Sequence, residues 1–113
     1  MQVKDVGGIA FRGRRLDGVP AKELRAMVDQ AKADLGSGVV AFIAVNEGKA
    51  ALAIGVTDDL TDRLDAVALV RAGADAVGGK GGGGRPDMAQ AGGPDGDKAD
   101  AALSAIEGAI AGG

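Results

Sequence analysis

Val39-Val40-Ala41-Phe42-Ile43-Ala44-Val45-Asn46-Glu47-Gly48-Lys49-Ala50-Ala51-Leu52-Ala53-Ile54-Gly55-Val56 reads as two strands folded about a tight turn. Residues 39–45 are apolar at consecutive positions, not alternate ones, so both faces of this strand must be covered. Glu47-Gly48 supplies the turn and residues 49–56 the partner strand. A central strand covered on two sides belongs in a sheet with helices packed on it, and the flanking sequence provides helices. Upstream, Leu24, Met27, Val28, Ala31 and Leu35 recur at helical spacing, so residues 20–35 are expected to form an amphipathic helix. Pro20 suits its first turn and Gly36-Ser37-Gly38 ends it. Further upstream, residues 6–12 read as a short strand and Gly13 to Gly18 as a basic turn.

Downstream, Thr57 to Asp62 is polar, with Thr61 or Asp62 placed to cap a helix. Leu64, Val67, Ala68, Arg71 and Ala74 carry that helix to about Val77. A glycine-rich loop follows, then a short extended segment over 86–91, broken at Gly92-Gly93-Pro94-Asp95-Gly96. A last helix is expected from Asp97 to Ile110, with Ala99, Ala102, Leu103, Ile106 and Ile110 on one face. Residues 111–113 are expected to fray. The expected order is β-α-β-β-α-(β)-α: an α/β (α+β) fold, one small domain over residues 1–113, with a mixed sheet and helices packed on it.

Composition narrows the chemistry. The 113 residues include no cysteine and no histidine, which removes disulfides, thiol nucleophiles, imidazole bases and ordinary zinc sites. Ser37 and Ser104 have no histidine to activate them. The aspartates form no calcium-loop pattern. The expectation is a binder with no catalytic residue and no metal. A mean hydropathy of +0.09 fits a globular protein. No apolar run approaches the ~18 residues of a membrane span, and no signal-peptide pattern opens the chain, so a cytoplasmic location is expected. The net charge of −3 argues against strong non-specific binding to nucleic acid. The charge is uneven, however. Residues 1–25 set Lys4, Arg12, Arg14, Arg15, Lys22 and Arg25 against Asp5, Asp17 and Glu23. Phe11 and Phe42 sit in strand-like stretches, leaving almost no aromatic surface for base stacking.

The chemically informative segment is Gly78-Gly79-Lys80-Gly81-Gly82-Gly83-Gly84-Arg85-Pro86-Asp87-Met88-Ala89-Gln90-Ala91-Gly92-Gly93. Four consecutive glycines let backbone N–H groups approach a ligand closely, and the flanking cations point to an anion, phosphate or nucleic-acid backbone. Polyglycine satisfies the dinucleotide fingerprint trivially, and here it follows a helix and not a strand. A P-loop fails because Lys80 is followed by Gly81, which lacks the hydroxyl for magnesium. A plain flexible connection stands beside anion binding as the other reading.

The same sixteen residues closely resemble the signature near the C-terminus of bacterial alanyl-tRNA synthetases. The helix through Leu24-Arg25-Ala26-Met27, the 39–56 hairpin and the Leu64-to-Val77 helix are similar to that family's C-terminal domain, so the resemblance covers essentially the whole chain. A more degenerate version occurs in the DHH-associated domain of DHH phosphoesterases, usually with a histidine after the glycines; Arg85 stands there in this chain. The resemblance implies a tRNA-binding accessory domain that contacts the elbow of an alanine-specific tRNA and leaves aminoacylation and editing to other domains of the parent, which would also hold its ATP, magnesium and zinc. It implies contacts from Lys80, Gly81, Gly82, Gly83, Gly84, Arg85 and Gln90, with Asp87, Arg12, Arg14 and Arg15 in second rank. Met88 and Ala89 read as packing residues. The alternative function is the phosphate- or nucleotide-binding half of a DHH phosphoesterase; a third is a docking module for the parent enzyme's other domains.

Overall fold

A computed structural model describes residues 3–79 and 82–112. The expected contacts Lys80 and Gly81 lie outside the described residues. The elements are β1 (Lys4–Val6), β2 (Ile9–Asp17), α1 (Ala21–Leu35), β3 (Val39–Asn46), β4 (Lys49–Val56), α2 (Ala66–Ala76), β5 (Gly83–Arg85), β6 (Met88–Gly93) and α3 (Ala99–Gly112). They form one mixed sheet in the order β1-β2-β3-β4-β6-β5. β2 and β3 run parallel, joined through α1, and the other pairings are antiparallel. The expected mixed sheet with packed helices is present, with two more strands than the sequence reading counted.

The central hairpin behaves as its composition dictates. Val40, Phe42 and Ala44 pack under α1 with Leu24, Val28, Ala31, Ala53 and Met88. Val39, Ala41 and Ile43 face the other way, joining Leu52, Ile54, Leu69, Val70, Ile106 and Ile110 beneath α2 and α3. The two-residue alternation of a strand thus feeds two separate cores, one per face. Every side chain from Val39 to Ala44 is buried. Glu47 and Gly48 both take positive φ (52° and 77°), the geometry that closes a two-residue hairpin.

Several boundaries differ from the sequence reading. Gly13–Gly18 is not a basic turn: β2 continues to Asp17, paired residue for residue from Phe11–Val39 to Asp17–Val45. Its ladder to β3 satisfies backbone groups that a turn would leave to water. The true turn is Gly7-Gly8, at φ 59° and 89°, which folds β1 back onto Ile9–Phe11. The α2 cap is Asp65, whose carboxylate accepts from the Val67 N–H, in place of Thr61 or Asp62. A 3-10 turn at Asp58–Leu60 occupies the preceding residues, and Leu64 N–H bonds back to Leu60. Gly92 and Gly93 do not break the chain but finish β6, opposite Ala51 and Ala50. α3 begins at Ala99, after a 3-10 turn over Gly96–Lys98, and continues through Ala111 to Gly112. No helix among the described residues is long and apolar enough to cross a membrane.

Candidate nucleic-acid interface

The glycine-rich segment is in part a strand. Gly83, Gly84 and Arg85 pair with Gln90, Ala89 and Met88 as the edge hairpin β5–β6. Pro86-Asp87 forms its tip, held from three sides. The Pro86 carbonyl accepts from the Ala66 N–H at 2.9 Å, where α2 begins. The Asp87 carbonyl accepts from the Val56 N–H at 3.0 Å and from the Lys32 ammonium of α1, also at 3.0 Å. The Asp87 carboxylate lies 3.5 Å from the Arg85 guanidinium. On the α2 side, Arg71 donates to the Gly82 carbonyl at 3.4 Å, a long bond. A tip pinned in this way is a positioned element and not a loose connection.

The described glycines of the segment do not all serve the same purpose. A Cβ at Gly79 would meet the Gly92 carbonyl oxygen, and one at Gly82 would sit 2.7 Å from the Ala91 Cβ. At Gly84, with φ +149°, it would meet the Met88 carbonyl and come 2.7 Å from the Ala89 Cα. Packing of the chain against itself therefore requires these three. Gly83 is different: a Cβ there would have no neighbour within 4 Å, and its φ is not positive. Nothing within the fold demands glycine at this exposed edge position, so its bareness suits something that approaches from outside.

Residues 88–90 alternate in direction, and Met88 packs in the α1-side core. Gln90, two residues on, points to that same face. There it meets the flank of α1: Arg25, Gly83, Gly84, Arg85, Met88, Ala89 and Gln90 line one cleft of about 370 Å³. Gln90 also borders an adjoining cleft with Lys22 and Leu24. The buried Met88 and Ala89 serve packing, as expected. Arg85 is two-thirds exposed, and Arg25 makes no ion pair among the described residues. An open backbone edge, two guanidinium groups and an amide thus face one shallow, wet space. This suits phosphate and sugar recognition.

Arg25 and Lys22 escaped the sequence reading. Their signal was the spacing of Lys22, Arg25 and Lys32, three and then seven residues apart, which lays all three on one flank of α1. Of the second-rank candidates, Asp87 works inside the hairpin through its pair with Arg85 and its carbonyl. Arg12, Arg14 and Arg15 lie on β2, three strand spacings from β6, roughly 14 Å at ~4.8 Å each. The fold does not bring them to the glycine hairpin. They also divide between faces: Arg12 and Arg14 border a cleft against α1, while Arg15 turns toward α3 and bonds Asp17 at 2.9 Å. That bond, with the nearby carboxylates of Asp17 and Asp100, raises the Arg15 pKa above its ordinary value. Among the described residues, no cluster of three or more carboxylates is placed to hold a metal ion.

Known proteins share this architecture. Alanine–tRNA ligase of Parvibaculum lavamentivorans is 60% identical over 109 residues, covering 96% of the chain. That of Hyphomonas neptunium is 60% identical over 107 residues, covering 95%. The chain spans 12% of the length of each of these two relatives. Among solved structures, the C-Ala domain from Aquifex aeolicus alanyl-tRNA synthetase superposes with a TM-score of 0.91 at 28% identity, covering 98% of this chain and 99% of that one. A DHH-domain protein from a family of ribosomal proteins shares the fold at a TM-score of 0.60 and 17% identity, over 97% of this chain and 27% of that one. The DHHA1 domain family model matches residues 8–112, and the chain belongs to that family.

Proposed function

We propose that this chain is the tRNA-binding C-terminal domain of an alanine–tRNA ligase, and that its glycine hairpin contacts the elbow of the tRNA. The observation that carries the reading is Gly83. It is a glycine that packing does not require, on an open strand edge, between Arg85 and Gln90 of the hairpin and Arg25 of α1. Phosphates of a folded RNA corner pair with Lys80, Arg25 and Arg85, and Lys22 flanks Arg25 on α1. Edge backbone at Gly83 approaches sugar or phosphate where a side chain would block. Gln90, which both donates and accepts, reads a 2′-OH or a base edge. Recognition is by shape and backbone, since buried Phe11 and Phe42 offer no stacking surface. A few phosphate contacts give modest affinity with a shallow salt slope. Tethered to a longer enzyme, such a contact acts through effective concentration. Chemistry, and with it ATP, magnesium and zinc, falls to domains outside this chain.

The test is a titration of the domain with intact tRNA, an anticodon-stem fragment and a mononucleotide, read at the backbone amides of Gly82 to Arg85. Intact tRNA is expected to shift these signals and the stem fragment to leave them in place. Tightest binding to the mononucleotide, or unmoved amides at saturating tRNA, refutes the proposal.

A further inference from the structure

The opposite flank of α1 carries a second cleft, of about 620 Å³, between the helix and β2. Leu16 and Met27 contribute its apolar surface over the buried Phe42, and Arg12, Arg14 and Asp34 its charges. Arg12 is 7% exposed, yet its Nε has no hydrogen-bond partner and is closed to solvent. No carboxylate lies within 4.0 Å of the Arg12 or Arg14 guanidinium among the described residues. A buried guanidinium without a counter-charge is unfavourable for the isolated fold. The neighbouring Arg15 has its own partner in Asp17. Beside the cleft, β1 covers β2 at Ile9–Phe11 alone, so among the described residues the outer edge of Arg12–Asp17 presents unpaired backbone groups.

We propose that this cleft and edge dock an extended protein segment carrying one carboxylate among apolar residues. The carboxylate pairs with the terminal nitrogens of Arg12, the apolar neighbours cover Met27 and Leu16, and the segment's backbone adds to the β2 edge. Charge selects this occupant over RNA. Two arginines against Asp34 leave one net positive charge, enough for a single carboxylate and too little for a polyanion. Phe42, 5% exposed, presents no face for a base. The site is independent of the tRNA reading, because it lies across α1 from the glycine hairpin.

The experiment titrates the labelled chain with the blocked peptide Leu-Val-Glu-Val-Leu, its glutamine counterpart and tRNA. It follows the Arg12 Nε–H and the methyl groups of Met27 and Leu16. The glutamate peptide is expected to move all three and to bind at least about ten-fold more tightly than the glutamine peptide. Arg12→Met, which keeps the length and removes the charge, is expected to erase that preference while leaving the thermal midpoint equal or higher. Silence of the three signals at about 10 mM peptide, equal affinity for the two peptides, or movement of the signals by tRNA overturns the proposal.

Discussion

Gly55→Ala tests how the fold positions the hairpin tip. Gly55 lies in β4 opposite Val40 and Met88, directly beneath α1. A methyl group there would stand 2.5 Å from Cδ and 3.0 Å from Cγ of Lys32, and 2.6 Å from Cγ1 of Val28. The Lys32 stem crosses this spot on its way to the Asp87 carbonyl, so the missing Cβ is what lets α1 hold the Pro86-Asp87 tip. Two effects oppose each other. Removing a glycine from a strand stabilises by about 0.5–1 kcal/mol. Overpacking a buried site costs about 1–3 kcal/mol. With three heavy atoms at 3.0 Å or less, two of them on a chain held at its far end, the cost should win. The net expectation is a loss of roughly 1–2 kcal/mol, or about 4–8 °C in thermal midpoint for a domain of this size. Urea unfolding should show a lower midpoint with an unchanged slope. Lys32→Ala removes two of the three crowding atoms, so Gly55→Ala should cost less than half as much in that background. An unchanged or raised midpoint for the single variant, or strict additivity with Lys32→Ala, refutes the reasoning.

Other outcomes follow from the same geometry. Arg25→Ala is expected to weaken tRNA binding about ten-fold and to lower the salt slope by about one, with an unchanged unfolding midpoint; filter binding at two salt concentrations measures both, and undiminished affinity removes Arg25 from the interface. Gly73→Ala sets a helix-propensity gain of about 1 kcal/mol against a Cβ placed 2.7 Å from Leu52 Cδ2 and 2.8 Å from Ile106 Cδ1; where α2 meets α3 and β4 the clash is expected to prevail, lowering the thermal midpoint. The Asp59 carboxylate accepts hydrogen bonds from the Ser37 and Thr57 hydroxyls, which hold its pKa below the ordinary aspartate value. A folded pKa below the unfolded one stabilises the native state above about pH 4 and stops doing so as the pH falls through the folded value. Asp59→Asn should therefore be less stable than wild type at pH 7, with the gap narrowing below about pH 4 in urea unfolding; a gap independent of pH rejects this role.

Local pattern alone determined much of this protein. Consecutive apolar residues from Val39 to Val45 demanded cover on two faces, and the helical spacing of Leu24, Val28 and Ala31 marked one of the covering helices; both are short-range properties of backbone geometry. The cation-flanked glycines likewise marked the candidate interface segment, because their chemistry is written in consecutive residues. Tertiary structure decided what depends on partners distant in sequence. Arg14 and Arg15 looked like part of a turn because glycine and charge cluster from Gly13 to Gly18, yet the β3 ladder draws them into a strand at the far side of the sheet. Gly82 to Gly84 looked alike in the sequence; only packing against Ala91, Met88 and Ala89 separates the glycines that the fold needs from Gly83, which it leaves open. Arg25 joined the candidate site because α1 lies across the sheet beside Gln90, and such a crossing is set by the two cores and not by any run of adjacent residues.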